Sequence, residues 1–121
     1  MIFASLLGLT AVAAGAFGAH GLKDQLTAAG QLEAWKTAAH YQLVHAAALL
    51  ALAAWQAHSE EPWLRRAALS WLCGALLFSC SLYALSLGGP KWLGPVTPIG
   101  GLLLIIGWSL LIPACLRAKQ R

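Results

Sequence analysis

The sequence predicts an all-α membrane protein. Four transmembrane helices form a compact bundle, with a short amphipathic interfacial helix between the first and second. Three observations carry this. First, 60% of the 121 residues are hydrophobic and only 10% are charged, whereas soluble domains average about a quarter charged. A chain this short has too little interior to hide that excess from water. Second, four apolar runs approach or exceed the ~20 helical residues that cross a bilayer. They cover about 2–19, 38–57, 67–87 and 92–116, and none contains Asp, Glu, Lys or Arg. Third, none of the runs alternates polar with apolar residues, which argues against the strands of a membrane barrel. The length suits one domain, residues 1–121.

The first run ends in GAFGAHGLK, residues 15–23. Its small residues resemble a signal-peptide cleavage site, but no Lys or Arg precedes the apolar stretch, as a secretory signal requires. The run is read as a retained span. A phosphate-binding loop is also excluded, because the spacing, the lysine and the preceding strand are missing. Gly21 is expected to turn the chain onto the membrane surface.

Residues 20–37 form the longest connection. Leu22, Leu26, Ala29, Leu32 and Trp35 recur at helical spacing, with Lys23, Asp24, Gln31, Glu33 and Lys36 between them. That pattern predicts the interfacial helix, interrupted or weakened at Gly30. The second connection, HSEEPWLRR, is short and polar. Ser59 is expected to cap the next helix, with Glu60, Glu61 and Pro62 in its first turn and Trp63 at the interface. The third connection, GGPKW, predicts a tight turn.

KWLGPVTPIGG opens the fourth span. Prolines are tolerated at a helix start. Pro95 and Pro98 therefore predict an irregular or re-entrant first turn, with Thr97 replacing lost backbone partners. Pro113 is expected to bend or end the helix.

Four spans bring both termini to one side. That side carries Arg65, Arg66, Arg117, Lys119 and Arg121, against Lys23, Lys36 and Lys91 on the other. The excess of basic residues places the termini in the cytoplasm, in a bacterial inner membrane for preference. These basic residues do not cluster with aromatics, so the net charge of +4 does not predict nucleic-acid binding. Cys73, Cys80 and Cys115 lie inside apolar runs and read as small hydrophobes.

Helices in lipid associate through small residues and polar side chains. Span one offers Ala4, Gly8, Ala11, Gly15 and Ala19 as a stripe, and Gly18 lies beside it. Span three offers Ser70 and Gly74, and span four Gly100, Gly101 and Gly107. These stripes are contacts within the chain, or toward another membrane protein or a second copy.

The chemically suggestive residues gather at the end away from the termini. They are His20, Tyr41, Gln42, His45, Ser79, Ser81, Tyr83 and Thr97. Tyr41 and His45 share a helix face, as do Gln42 and His45. His40 and His45, five apart, diverge and make a poor pair of metal ligands. His45 lies about 10 Å along its span by helical rise, so it needs a hydrogen-bond partner. The cluster is either a polar staple between helices or a site for a lipid, a quinone head, a metal or a proton relay. It holds no set of nucleophile, base and carboxylate, so no catalytic residue, cofactor or metal is assigned.

Four segments, GAFGAHGLK (15–23), WKTAAHYQLVHA (35–46), LFSCSLYALSL (77–87) and GPVTPIGG (94–101), resemble a family of small four-span membrane proteins of unknown function. It includes the bacterial YgdD-like proteins and the animal transmembrane protein 256. The resemblance implies four membrane helices and carries no catalytic assignment. Cys80 departs from its pattern, which has glycine between the two serines, and a larger side chain there is expected to loosen a close helix contact.

The expected function is a structural or accessory scaffold of a membrane complex. The alternative is a lipid-, quinone- or small-molecule-binding protein, or a minor transporter or channel, built on the polar cluster. A redox or metal enzyme using His20, His40 and His45 ranks last.

Overall fold

The computed structural model describes residues 1–118. Five α-helices follow in order: α1 (Ile2–Ala19), α2 (Lys23–Ala28), α3 (Leu32–Gln56), α4 (Pro62–Ser86) and α5 (Val96–Ala118). A 3₁₀ turn, Lys91–Leu93, precedes α5. Four of the helices are long and apolar enough to cross a membrane. The 25 residues of α3 and of α4 rise about 37 Å each, more than the ~30 Å hydrocarbon core. Lys119 and Arg121, counted in the charge bias above, lie outside the described residues.

The four spans pack closely and in sequence: α1 on α3, α3 on α4, and α4 on α5. Between α3 and α4 the core holds Leu49, Leu52, Leu64 and Trp71, all buried. The outward faces are apolar as well, with Leu9 on α1 and Leu102, Ile105 and Ile112 on α5 more than half exposed. A surface apolar on every side is stable against lipid, not water.

Local chemistry sets the helix ends. Gly30 adopts φ 66°, in the left-handed region, and the Gln31 amide closes back on the Leu26 carbonyl at 2.8 Å. This ends α2 after six residues. The interfacial helix is therefore shorter than the periodicity suggests. Leu32 and Trp35 belong instead to the first turns of α3, and Trp35 is buried. Gly88, at φ 83°, ends α4 in the same manner, with the Gly89 amide on the Ala84 carbonyl at 2.8 Å.

Two expected helix starts are corrected. Glu61, not Ser59, is the residue before α4, and it makes no side-chain cap. Pro62 takes the first helical position, where its ring pre-sets φ. The buried Glu61 instead pairs with Arg117 at 3.7 Å, joining the start of α4 to the end of α5. At the other end, the 3₁₀ turn and Gly94 supply the irregular approach to α5, and Pro95 precedes the first helical residue. Pro113 does not end α5, which continues to Ala118.

Candidate functional site: an interhelical polar cluster

Gln42 sits at the centre of the cluster and is 5% exposed. Its Nε2 donates to the Leu7 carbonyl at 3.0 Å and to Thr10 Oγ1 at 2.7 Å, both on α1. Its Oε1 accepts the Tyr83 hydroxyl of α4 at 3.0 Å. One side chain thus links three helices. Thr10 in turn donates to the Leu6 carbonyl at 2.8 Å. Thr10 was not visible as a site residue in the sequence. The available signal was a hydroxyl in the middle of an otherwise apolar span.

Trp35 adds a second tie. Its Nε1 donates to the Ala14 carbonyl at 2.7 Å, and its ring lies 4.6 Å from that of Tyr83. The indole rests directly on Gly18, where any Cβ would collide with Trp35 Cδ1 and Nε1. Glycine is required there so that the indole reaches the α1 backbone.

The serines of α4 join it to both neighbours. Ser79 Oγ donates to the Ala38 carbonyl of α3 at 2.8 Å. Ser81 Oγ and Thr97 Oγ1 of α5 lie 2.7 Å apart. Thr97 therefore bonds across helices, not to its own backbone as expected. Ser70 Oγ donates to the Leu103 carbonyl of α5 at 2.6 Å. Between these bonds the α4 and α5 backbones meet. A Cβ on Gly100 would strike the backbone of Phe78, and one on Gly74 would lie 2.9 Å from the Leu104 amide nitrogen. Gly101 makes only ordinary contact with the Phe78 ring at 3.7 Å. Cys80 points away from these contacts and is exposed. The expectation that it loosens a close helix contact is thus incorrect, because Ser79 and Ser81 face the neighbours and Cys80 faces outward.

His45, 4% exposed, stands slightly apart. Its Nδ1 lies 2.8 Å from the Tyr41 carbonyl, and its Nε2 accepts the indole proton of Trp108 at 3.2 Å. A carbonyl only accepts and an indole N–H only donates. The pair therefore selects the neutral ring protonated at Nδ1. Tyr41, His45, Phe78 and Trp108 wall a groove of about 450 Å³ between α3 and α5.

One expected member of the cluster, His20, lies elsewhere, and one expected packing glycine, Gly15, is not at a close contact. His20 is exposed at the end of α1, beside Phe17 and Gly21, and no hydrogen bond joins its side chain to the cluster. A Cβ on Gly15 would meet nothing within 4 Å, so no close helix approach requires glycine there. The buried face of α1 is Ala4, Leu7, Ala11 and Gly18; it shares Ala4 and Ala11 with the predicted stripe and leaves out Gly8, Gly15 and Ala19. Gly8 touches Ala46 at an ordinary 3.5 Å from its would-be Cβ. A spacing of 3.5 residues, as in left-handed helix pairs, selects positions 4, 7, 11 and 18. The stripe read from small residues drifts off that face.

Among the described residues, no three His, Cys, Asp or Glu side chains converge as a metal site would need. The cluster's bonds run from side chain to backbone and from side chain to side chain across helix interfaces, which is the chemistry of helix association.

These features define a small four-span integral membrane protein whose polar residues join its helices. The chain belongs to the family described as "Protein of unknown function (DUF423)", which matches residues 14–101. A membrane protein of Staphylococcus saprophyticus is 39% identical over 116 residues, covering 93% of this chain and 92% of that protein. One from Haemophilus influenzae is 41% identical over 117 residues, covering 96% and 92%. The inner membrane protein YgdD of Escherichia coli is 35% identical over 122 aligned positions, covering all of this chain and 92% of YgdD. No solved structure gives a significant match.

Proposed function

We propose that this protein is a structural or accessory component of a membrane complex, with both termini and the α3–α4 connection in the cytoplasm. One observation carries the reading. Gln42, His45, Ser79, Ser81, Tyr83 and Thr97 are all engaged by other groups of the same chain. A rigid helical body with apolar outer faces is suited to contact with another membrane protein. The orientation follows from the basic residues at the terminal side.

Photo-crosslinking tests this. A photoreactive residue replacing Leu9 on α1 or Ile105 on α5, in native membranes, should give one discrete protein adduct. Adducts with lipid alone from both positions would overturn the proposal.

One observation favours a second reading, a small-molecule site. The groove between α3 and α5 has a volume within the range of ligand pockets. Its aromatic wall suits a flat apolar ring such as a quinone head. An Ile105→Trp substitution would fill it and displace any such ligand retained on purification.

A further inference from the structure

The opposite end of the molecule carries several polar side chains without a partner among the described residues. Around the α3–α4 connection, a pocket of about 770 Å³ is lined by Gln56, Ser59, Arg65 and Arg66, with Glu60 and Glu61 also on its wall. Glu61 is committed to Arg117. Among the described residues, no carboxylate lies within ion-pair distance of Arg65 or Arg66. No side-chain hydrogen bond engages Gln56 or Ser59 there either. Arg66 lies over the Trp63 ring at 4.7 Å, which orients its guanidinium without neutralising it.

Directly below this pocket runs an apolar groove of about 170 Å³ between α1 and α4, floored by α3. Its walls are Phe3 on α1 and Ala68 and Leu72 on α4, and its floor is Leu49 and Ala53. Arg65, Gln56 and Leu69 line both cavities, so the two are adjacent and share a wall. The register explains the shared wall. Positions 65, 68, 69 and 72 share one face of α4, and 49, 53 and 56 share one face of α3. The groove exists because Ala53 and Ala68 stand where larger residues would close it. From Arg65 it descends seven residues of α4, about 10 Å toward the membrane centre.

Two guanidinium groups without an ion-pair partner among the described residues border an apolar channel parallel to the helices. The Gln56 amide and the Ser59 hydroxyl are nearby, and the Glu60 carboxylate is on the same wall. This matches one ligand chemistry. We infer that this end binds an anionic phospholipid from the leaflet bordering the termini. Its phosphate lies between Arg65 and Arg66, with Gln56 and Ser59 supplying further hydrogen bonds. One acyl chain lies along the α1–α4 groove over Ala53 and Ala68. A guanidinium is well suited to the phosphate, since it offers paired donors in a fixed plane.

The full-length protein, reconstituted in vesicles of equal phosphatidylglycerol and phosphatidylcholine, is extracted in mild detergent and weighed intact by native mass spectrometry. Phosphatidylglycerol should be retained in clear excess over phosphatidylcholine. Arg65→Gln and Arg66→Gln should each lower that retention about fivefold, the worth of one basic residue at a charged membrane surface. The Arg65→Lys variant should keep most of it, and Lys91→Gln, at the other end of the molecule, should change nothing. Ala53→Leu keeps both arginines but fills the groove, and should also reduce retention. Excess inorganic phosphate should not displace the lipid. Equal retention of the two lipids, retention unaffected by Arg65→Gln and Arg66→Gln, or unaffected by Ala53→Leu would each overturn the inference. So would displacement by phosphate, which would indicate a site for a free anion.

Discussion

Tyr83 donates its hydroxyl proton to Gln42 at 3.0 Å, across the interface of α4 and α3, while the Gln42 amide reaches two acceptors on α1. Interhelical hydrogen bonds in membranes average about 0.6 kcal/mol each and reach about 1.7. Gln42→Leu removes three and should destabilise the fold by about 2 kcal/mol. Tyr83→Phe removes one and should cost about 0.6 kcal/mol. Unfolding in mixed micelles by denaturing detergent measures both. A Gln42→Leu variant as stable as the parent would show that the amide does not hold the helices.

Gly18 and Trp35 form a matched pair, with the indole seated on the glycine and bonded to the Ala14 carbonyl at 2.7 Å. Gly18→Ala should cost about 1–3 kcal/mol, because the ring must move from a packed position. Combined with Trp35→Leu, the two effects should fall well short of additive. Simple additivity in a double-mutant cycle would mean that the contact is not what constrains Gly18.

Gly15 of α1 and Gly100 of α5 should respond in opposite ways. Gly100→Ala places a methyl group against the backbone of Phe78, which cannot rotate aside. It should separate α4 from α5 and give the largest loss of stability among these variants. Gly15→Ala meets nothing within 4 Å and should be neutral or stabilising, since alanine favours a helix by about 1 kcal/mol over glycine. Thermal unfolding of both proteins in the same detergent compares them directly.

Trp108→Phe keeps an aromatic ring but removes the donor to His45 at 3.2 Å. A loss of about 0.6 kcal/mol is expected. In a His45→Ala background the same substitution should cost less. An equal loss in both backgrounds would exclude the bond as the cause.

The charge bias predicts topology. In a variant without its three native cysteines, Ser59→Cys should react with a membrane-impermeant maleimide only after the cytoplasmic face is opened. Gln25→Cys, on α2, should react from outside in intact cells. The reverse pattern would invert the orientation.

Much of this architecture was legible in the residue pattern. Four uncharged runs demanded four spans, because each charge in hydrocarbon is costly. Gly30 and the GG of residues 88–89 marked chain reversals, since left-handed φ values favour glycine. Helix starts were less legible. Both α3 and α4 begin with charged or amphipathic turns that a search for uninterrupted apolar residues leaves out. The candidate cluster was only partly legible. Tyr41, Gln42, His45 and Tyr83 stood out as polar groups in apolar surroundings. Thr10, which bonds to Gln42, offered only a lone hydroxyl within an apolar span, and Trp35 and Trp108, which bond to Ala14 and His45, carried no signal distinguishing them from interface or span residues.

The sequence by itself determined that this is a four-span membrane protein, because hydrophobicity and charge act locally and can be summed along the chain. It also required that Gln42 and His45 find partners, because an unpaired polar group in lipid is expensive. Only the tertiary structure decided who those partners are. Rotation of each helix about its axis follows from interlocking shapes across interfaces, and a run of small residues does not encode it. That rotation turned Cys80 outward, left space beside Gly15 and carried Gly18 beneath Trp35. At the far end it left Arg65 and Arg66 without a carboxylate partner among the described residues, beside an apolar groove.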